Sequence, residues 1–218
     1  MKKIEVLLFA ILINGVTLGQ RIIPFVPNGN QFILDESYED LKCYDGLVFQ
    51  DSLFIATKYV DAPGQATIKA LANGVLSDVP VDWDVSQGEV TDLLVFNNQL
   101  VAIGRRIDPA LNQNVACIGI RNGGQWNYFS FPDHPRFNFG KVVNQRIYLF
   151  GGVSNEVVYF ENGEFHLTDI VGVLDAELMN DELYFIKNDF SGMYHLDNNG
   201  FAQSDSILCD TLNAFSII

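Results

Sequence analysis

Cysteine is scarce in this chain. Cys43, Cys117 and Cys209 make an odd number, with no CxxC pair and no neighbouring histidine. That excludes a disulfide framework and a structural zinc site, and leaves stability to the core. No stretch sustains helical periodicity, which excludes a helical repeat. Basic residues are few as well. Thirteen Lys and Arg stand against 27 Asp and Glu, a net charge of −14. A surface that acidic repels phosphate backbones, so nucleic acid and anionic membrane are not expected as partners. His134, His166 and His195 fall in different parts of the chain, none with a partner at ligand spacing. A nucleophile elbow, a phosphate-cradling glycine loop and a zinc signature are all missing, so no catalytic, cofactor or metal residue is expected.

The N-terminus reads as an export signal. Lys2 and Lys3 form a short positive region, residues 6–13 are apolar, and Thr17-Leu18-Gly19 offers small residues where a signal peptidase reads. Cleavage before Gln20 divides the chain into a signal peptide, 1–19, and one domain, 20–218. The apolar run is shorter than the roughly 20 residues a bilayer needs. No cysteine follows it to take a lipid. The expected destination is the periplasm or the exterior, with no membrane insertion after cleavage.

Internal similarity organises the rest of the chain. An apolar strand, a polar turn and a strand opening on Leu or Ile recur four times. They are Leu47-Val48-Phe49 before Leu53, Leu94-Val95-Phe96 before Leu100, Lys141-Val142-Val143 before Ile147, and Glu177-Leu178-Met179 before Leu183. The turns between them are Gln50-Asp51-Ser52, Asn97-Asn98-Gln99, Asn144-Gln145-Arg146 and Asn180-Asp181-Glu182. A second hairpin follows each, turning at Asn73-Gly74, Asn122-Gly123, Asn162-Gly163 and Asn199-Gly200. Asn-Gly favours the positive φ that a two-residue hairpin requires. Each unit is therefore four short antiparallel strands. All-β units of roughly 40–50 residues with four strands are the signature of β-propeller blades; a β-sandwich is the structural rival. Cys43 and Cys209 occupy the repeat position of Val90, Phe137 and Val173, and read as small buried hydrophobes.

Within the third unit, Ile147-Tyr148-Leu149-Phe150-Gly151-Gly152, then Val158-Tyr159, then Phe165, resembles a kelch repeat. The second unit is similar in a reduced form, with Gly104 and Trp126. The first and fourth carry Thr57 and Lys187 where the glycines would stand. The resemblance implies a binding scaffold without a cofactor.

The ends carry partial units. Residues 21–34, turning at Asn28-Gly29, read as a second hairpin. Residues 213–218 stand where the first strand of a fifth unit belongs, because Cys209 precedes Phe215 by the interval that separates Cys43 from Phe49. The second strand of that fifth unit is missing, so the propeller is expected to be truncated at the C-terminus, or five-bladed with one thin blade.

Propeller ligands meet the face that carries the connections 57–65, 79–89, 105–114 and 132–140. The expected ligand-binding residues are Tyr59, Trp83, Arg105, Arg106, His134 and Arg136, since aromatic and Arg side chains anchor interfaces. The expected function is an exported scaffold for a protein or glycan. The alternatives are a carbohydrate-active enzyme using loop carboxylates such as Asp82 and Asp84, and a fragment without function. Asp78, Asp82, Asp84 and Glu89 surround Trp83 and only loosely resemble a calcium loop.

Overall fold

The computed structural model describes residues 25–28, 31–34, 41–59, 66–81, 88–108, 110–151, 156–188, 193–196 and 202–205. The expected signal peptide, Trp83, the Asn199-Gly200 turn and residues 206–218 lie outside the described residues.

Eighteen strands and no helix make up the described chain. A short antiparallel hairpin, β1 (Phe25–Asn28) with β2 (Gln31–Leu34), comes first. Asn28 pairs with Gln31 there, so it is a strand residue rather than the turn residue expected of Asn28-Gly29. Four four-stranded antiparallel sheets follow, each meandering in chain order. Sheet I holds β3 (Leu41–Phe49), β4 (Ser52–Tyr59), β5 (Ala66–Ala72) and β6 (Val75–Val79). Sheet II holds β7 (Glu89–Phe96), β8 (Gln99–Asp108), β9 (Gln113–Asn122) and β10 (Gln125–Phe131). Sheet III holds β11 (Phe139–Val143), β12 (Arg146–Gly151), β13 (Glu156–Glu161) and β14 (Glu164–Leu167). Sheet IV holds β15 (Val173–Met179), β16 (Glu182–Lys187), β17 (Met193–Leu196) and β18 (Ala202–Asp205). The four sheets are the four units read from the repeat.

The hairpin turns explain this regularity. Asn73-Gly74 and Asn162-Gly163 turn with positive φ at both residues, as the sequence requires. In sheet II the turn is Gly123-Gly124, not Asn122-Gly123, and Asn122 pairs with Gln125. Two glycines take positive φ more easily than asparagine does, and the resulting register lays the Trp126 and Tyr128 rings against Gly119. The first hairpins are tighter than expected. Gln50-Asp51, Asn97-Asn98, Asn144-Gln145 and Asn180-Asp181 are two-residue turns with positive φ throughout and no glycine.

The sheets stack through their faces. Phe54, Ala56, Ile68 and Ala70 of sheet I meet Val90, Leu93, Leu100, Ala102 and Cys117 of sheet II. Val101, Ile103 and Ile118 of sheet II then meet Phe137, Ile147, Leu149, Val158 and Phe160 of sheet III. Tyr148, Phe150 and Val157 of sheet III meet Val173, Ala176, Leu183 and Phe185 of sheet IV. Each sheet thus buries both faces where it has two neighbours, and its two middle strands are almost continuously apolar. Cys117 is fully buried between sheets I and II, and Cys43 is half-buried. Burial raises both thiols, Cys43 to about 11.

First strands lie beside first strands: β3 against β7, β7 against β11, β11 against β15. Three of these strands carry a β-bulge, at Cys43/Asp45, Val90/Asp92 and Val173/Asp175. The bulge turns an aspartate out of the ladder. Asp45 Oδ2 accepts from the Leu93 N–H of the next sheet (2.9 Å), and Asp92 Oδ2 accepts from the Gly140 N–H of the next (2.7 Å). The first strands of sheets I, II and III are tied by carboxylates rather than by ladder hydrogen bonds.

Candidate functional site

Tyr59, Arg105, Arg106, His134 and Arg136 fall at one end of the sheets, Trp83 lying outside the described residues, but the strands reach further into that end than expected. β8 continues to Asp108 and β9 begins at Gln113, so Arg105 and Arg106 are strand residues, opposite Ala116 and Val115. Tyr59 closes β4 opposite Leu41; its side chain lies outside the described residues. The connection between β10 and β11 is pinned to sheet II at two points. The His134 carbonyl accepts from Ala116 N–H (2.7 Å), and Phe137 N–H donates to the Gly104 carbonyl (3.2 Å).

That pinning carries His134 into the interior. It is 4 % exposed and stacks on Phe131 at 5.0 Å between centroids. Its Nε2 donates to Glu156 Oε2 at 2.8 Å, while Nδ1 is buried without a hydrogen-bond partner among the described residues. Expected at the surface, His134 is a buried pillar under the loop.

Arg105 and Arg136 both come within electrostatic reach of Tyr44. Glu89, the first residue of β7, is buried and lies opposite Arg105, whose Nε stands 3.0 Å from Glu89 Oε2. Tyr44, the bulge residue of β3, donates its hydroxyl to Glu89, and both Arg105 and Arg136 act on it electrostatically. Burial is the largest reason the Tyr44 phenol is raised, followed by the Glu89 bond and charge. Arg136 is exposed. Tyr44, Glu89 and Arg105 thus form one polar cluster drawn from sheets I and II, within electrostatic reach of Arg136 on the loop leading to sheet III. Arg106 stands apart; its charge acts on the buried Cys117 thiol instead.

Two of the four carboxylates read as a loose cation loop are committed elsewhere. Asp78 pairs with the buried Lys69, and Glu89 with Arg105. Asp82 and Asp84 lie outside the described residues. No group of three His, Cys, Asp or Glu that could hold a metal occurs among the described residues.

Sequence reasoning missed a second cleft, at the opposite end, where the turns of sheets I and II meet. It encloses about 340 Å³ over Phe49, Phe54 and Leu100, and is edged by Gln50, Asn98 and Arg121. Arg121 Nε is buried there with no hydrogen bond among the described residues. The signal lay in the turn residues, whose amides replace glycine at positive φ. Tyr44 was equally hidden, because only the bulge turns it toward sheet II.

No protein-family model matches the chain, and no curated protein matches it.

Proposed function

We propose that this chain is an exported, kelch-like propeller that serves as a binding scaffold for a protein or glycan. Four sheets stacked face to face with their first strands side by side support the propeller reading. The charged N-terminal residues and the apolar run behind them support export. The observation that carries the binding reading is the exposed Arg136 within electrostatic reach of the Tyr44–Glu89–Arg105 cluster. Residues of sheets I and II converge where strands end, and the exposed Arg136 stands within their reach on an otherwise acidic chain. A guanidinium so placed suits a carboxylate, whether of an acidic peptide or an acidic sugar. Glu89 already neutralises Arg105, so the group left to a ligand is Arg136.

Immobilised acidic oligosaccharides and acidic peptides test this with the purified chain. Retention that falls at least tenfold in Arg136→Ala, with unchanged thermal unfolding, is the expected result. Equal retention by the variant, or none by the parent, removes the reading. Arg121→Ala separates the loop end from the opposite cleft: loss of retention there alone moves the site to the turn end.

A further inference from the structure

One repeat position stands beside the first apolar residue of each sheet's second strand. In sheet III it is Phe160 of β13, paired with Ile147 on one side and Phe165 on the other. In sheet I it is Leu71 of β5, between Leu53 and Leu76. Sheet IV has Leu196 of β17 there, one residue past the Tyr184–His195 pair and opposite Ala202. Sheet II departs from the rule. Its residue is Arg121 of β9, one residue past the Val101–Ile120 pair and opposite Trp126.

The exchange of an apolar side chain for a guanidinium changes the interface. Phe160 is buried and fills the turn end between sheets II and III, with the Phe129 ring edge-on at 4.8 Å. Between sheets I and II the matching space stays open as the cleft of about 340 Å³. Phe49 and Phe54, tilted rings 6.5 Å apart, form its floor with Leu100. Arg121 enters it with Nε buried, and its side chain makes no hydrogen bond or ion pair among the described residues. A buried donor without a partner destabilises a fold, so packing does not account for an arginine where three sheets carry Leu or Phe.

The lining supplies the chemistry of a ligand. None of the residues around the cleft is acidic, on a chain with 27 Asp and Glu. Its other polar side chains are amides, among them Gln50, Asn98 and Asn122. Amides both donate and accept, as hydroxyl groups do. A guanidinium binds a carboxylate through paired N–H donors. The volume lies at the small end of the roughly 300–1,000 Å³ typical of small-molecule sites, which suits a single ring. We infer that the cleft between the turns of sheets I and II is a binding site for a sugar acid. The carboxylate meets Arg121, the hydroxyls meet the amides, and the C–H face of the ring lies on Phe49 and Phe54. The site is at the opposite end of the sheets from Arg136 and does not rest on the reading given to that residue.

Titration of the full chain with glucuronate, followed at the Gly123 and Gly124 amide signals by NMR, tests the inference. A saturable shift is expected, with affinity at least tenfold lower for glucose, which has the ring without the carboxylate. Arg121→Leu restores the residue type of sheets I and IV. It should weaken glucuronate at least tenfold while leaving the thermal midpoint unchanged or higher, and Arg136→Ala should leave the titration as it is. No saturable shift, or equal affinity for glucose, overturns the inference on the unaltered chain, whatever the variants do. Equal affinity in Arg121→Leu, or a lower midpoint for it, overturns the role given to Arg121.

Discussion

Asp45 and Asp92 aim their carboxyl groups at the same peptide N–H, that of Leu93, from two different sheets. Asp45 Oδ2 lies 2.9 Å and Asp92 Oδ1 3.0 Å from it. Two carboxylates so close cannot both be charged cheaply, and a side-chain hydrogen bond joins them. Burial first, then the Asp45 charge, raises Asp92 from 3.8 to about 8, against the lowering effect of the Gly140 and Leu93 N–H bonds. Burial and the Asp45 charge thus favour the protonated form of Asp92 in the folded chain.

The folded state binds that proton more tightly than the unfolded chain, so folding takes up a proton between about pH 4 and pH 8. The contribution to stability is complete below pH 4, declines as pH rises through that window, and is gone above 8. The slope is at most about 1.4 kcal/mol per pH unit. Thermal unfolding followed from pH 5 to 9 should show a falling midpoint. Asp45→Asn removes one of the two charges and can still accept from Leu93 N–H, so its midpoint should change less across the window. An equally steep fall in that variant would refute the protonated Asp92.

Gly140 of sheet III packs directly against sheet II. Its missing Cβ leaves room for Ile103 Cδ1 and Leu94 Cδ2. Gly140→Ala should destabilise by about 1–3 kcal/mol through overpacking. Ile103→Val removes the methyl that would collide, so it should cost less in the Gly140→Ala chain than in the parent. Urea unfolding of the four chains gives the coupling; additive effects would place the strain elsewhere.

Gln145 sits at φ 63° in the turn between β11 and β12. A long side chain gains nothing from that conformation, while glycine adopts it freely. Gln145→Gly should raise stability by about 0.5–1 kcal/mol, read as a higher urea midpoint at unchanged slope. Gly163→Ala, at φ 88° in the turn between β13 and β14, should lower it by a similar amount.

Glu156 is the acceptor for a histidine with almost no access to water. Glu156→Ala should cost about 1–3 kcal/mol, because His134 Nε2 is then buried without a partner. Glu156→Gln keeps an acceptor oxygen and should cost less. Equal losses in both variants, measured by calorimetry, would show that the negative charge rather than the hydrogen bond matters.

The strand order was legible because hairpin turns are local. Asn73-Gly74 and Asn162-Gly163 need only their own φ angles to be recognised, and the four sheets fall where those turns put them. The loop-end location of Arg105 and Arg136 was legible for the same reason. The neighbours that give the site its character were not. Tyr44 reaches Glu89 through a bulge that no local pattern announces, since a bulge is set by how two strands twist against the next sheet. His134 reads as a surface residue in the sequence because burial by a pinned loop depends on Ala116 and Gly104, far from it along the chain.

By itself the sequence determined the four units of four antiparallel strands, because side-chain alternation and turn chemistry act within a few residues. Only the tertiary structure decided how sheets I, II and III are joined at their first strands. Those ties are single hydrogen bonds from aspartates to backbone N–H groups one repeat away. A carboxylate in a sequence looks the same whether it faces water or the next sheet; the bulge and the stacking make the difference.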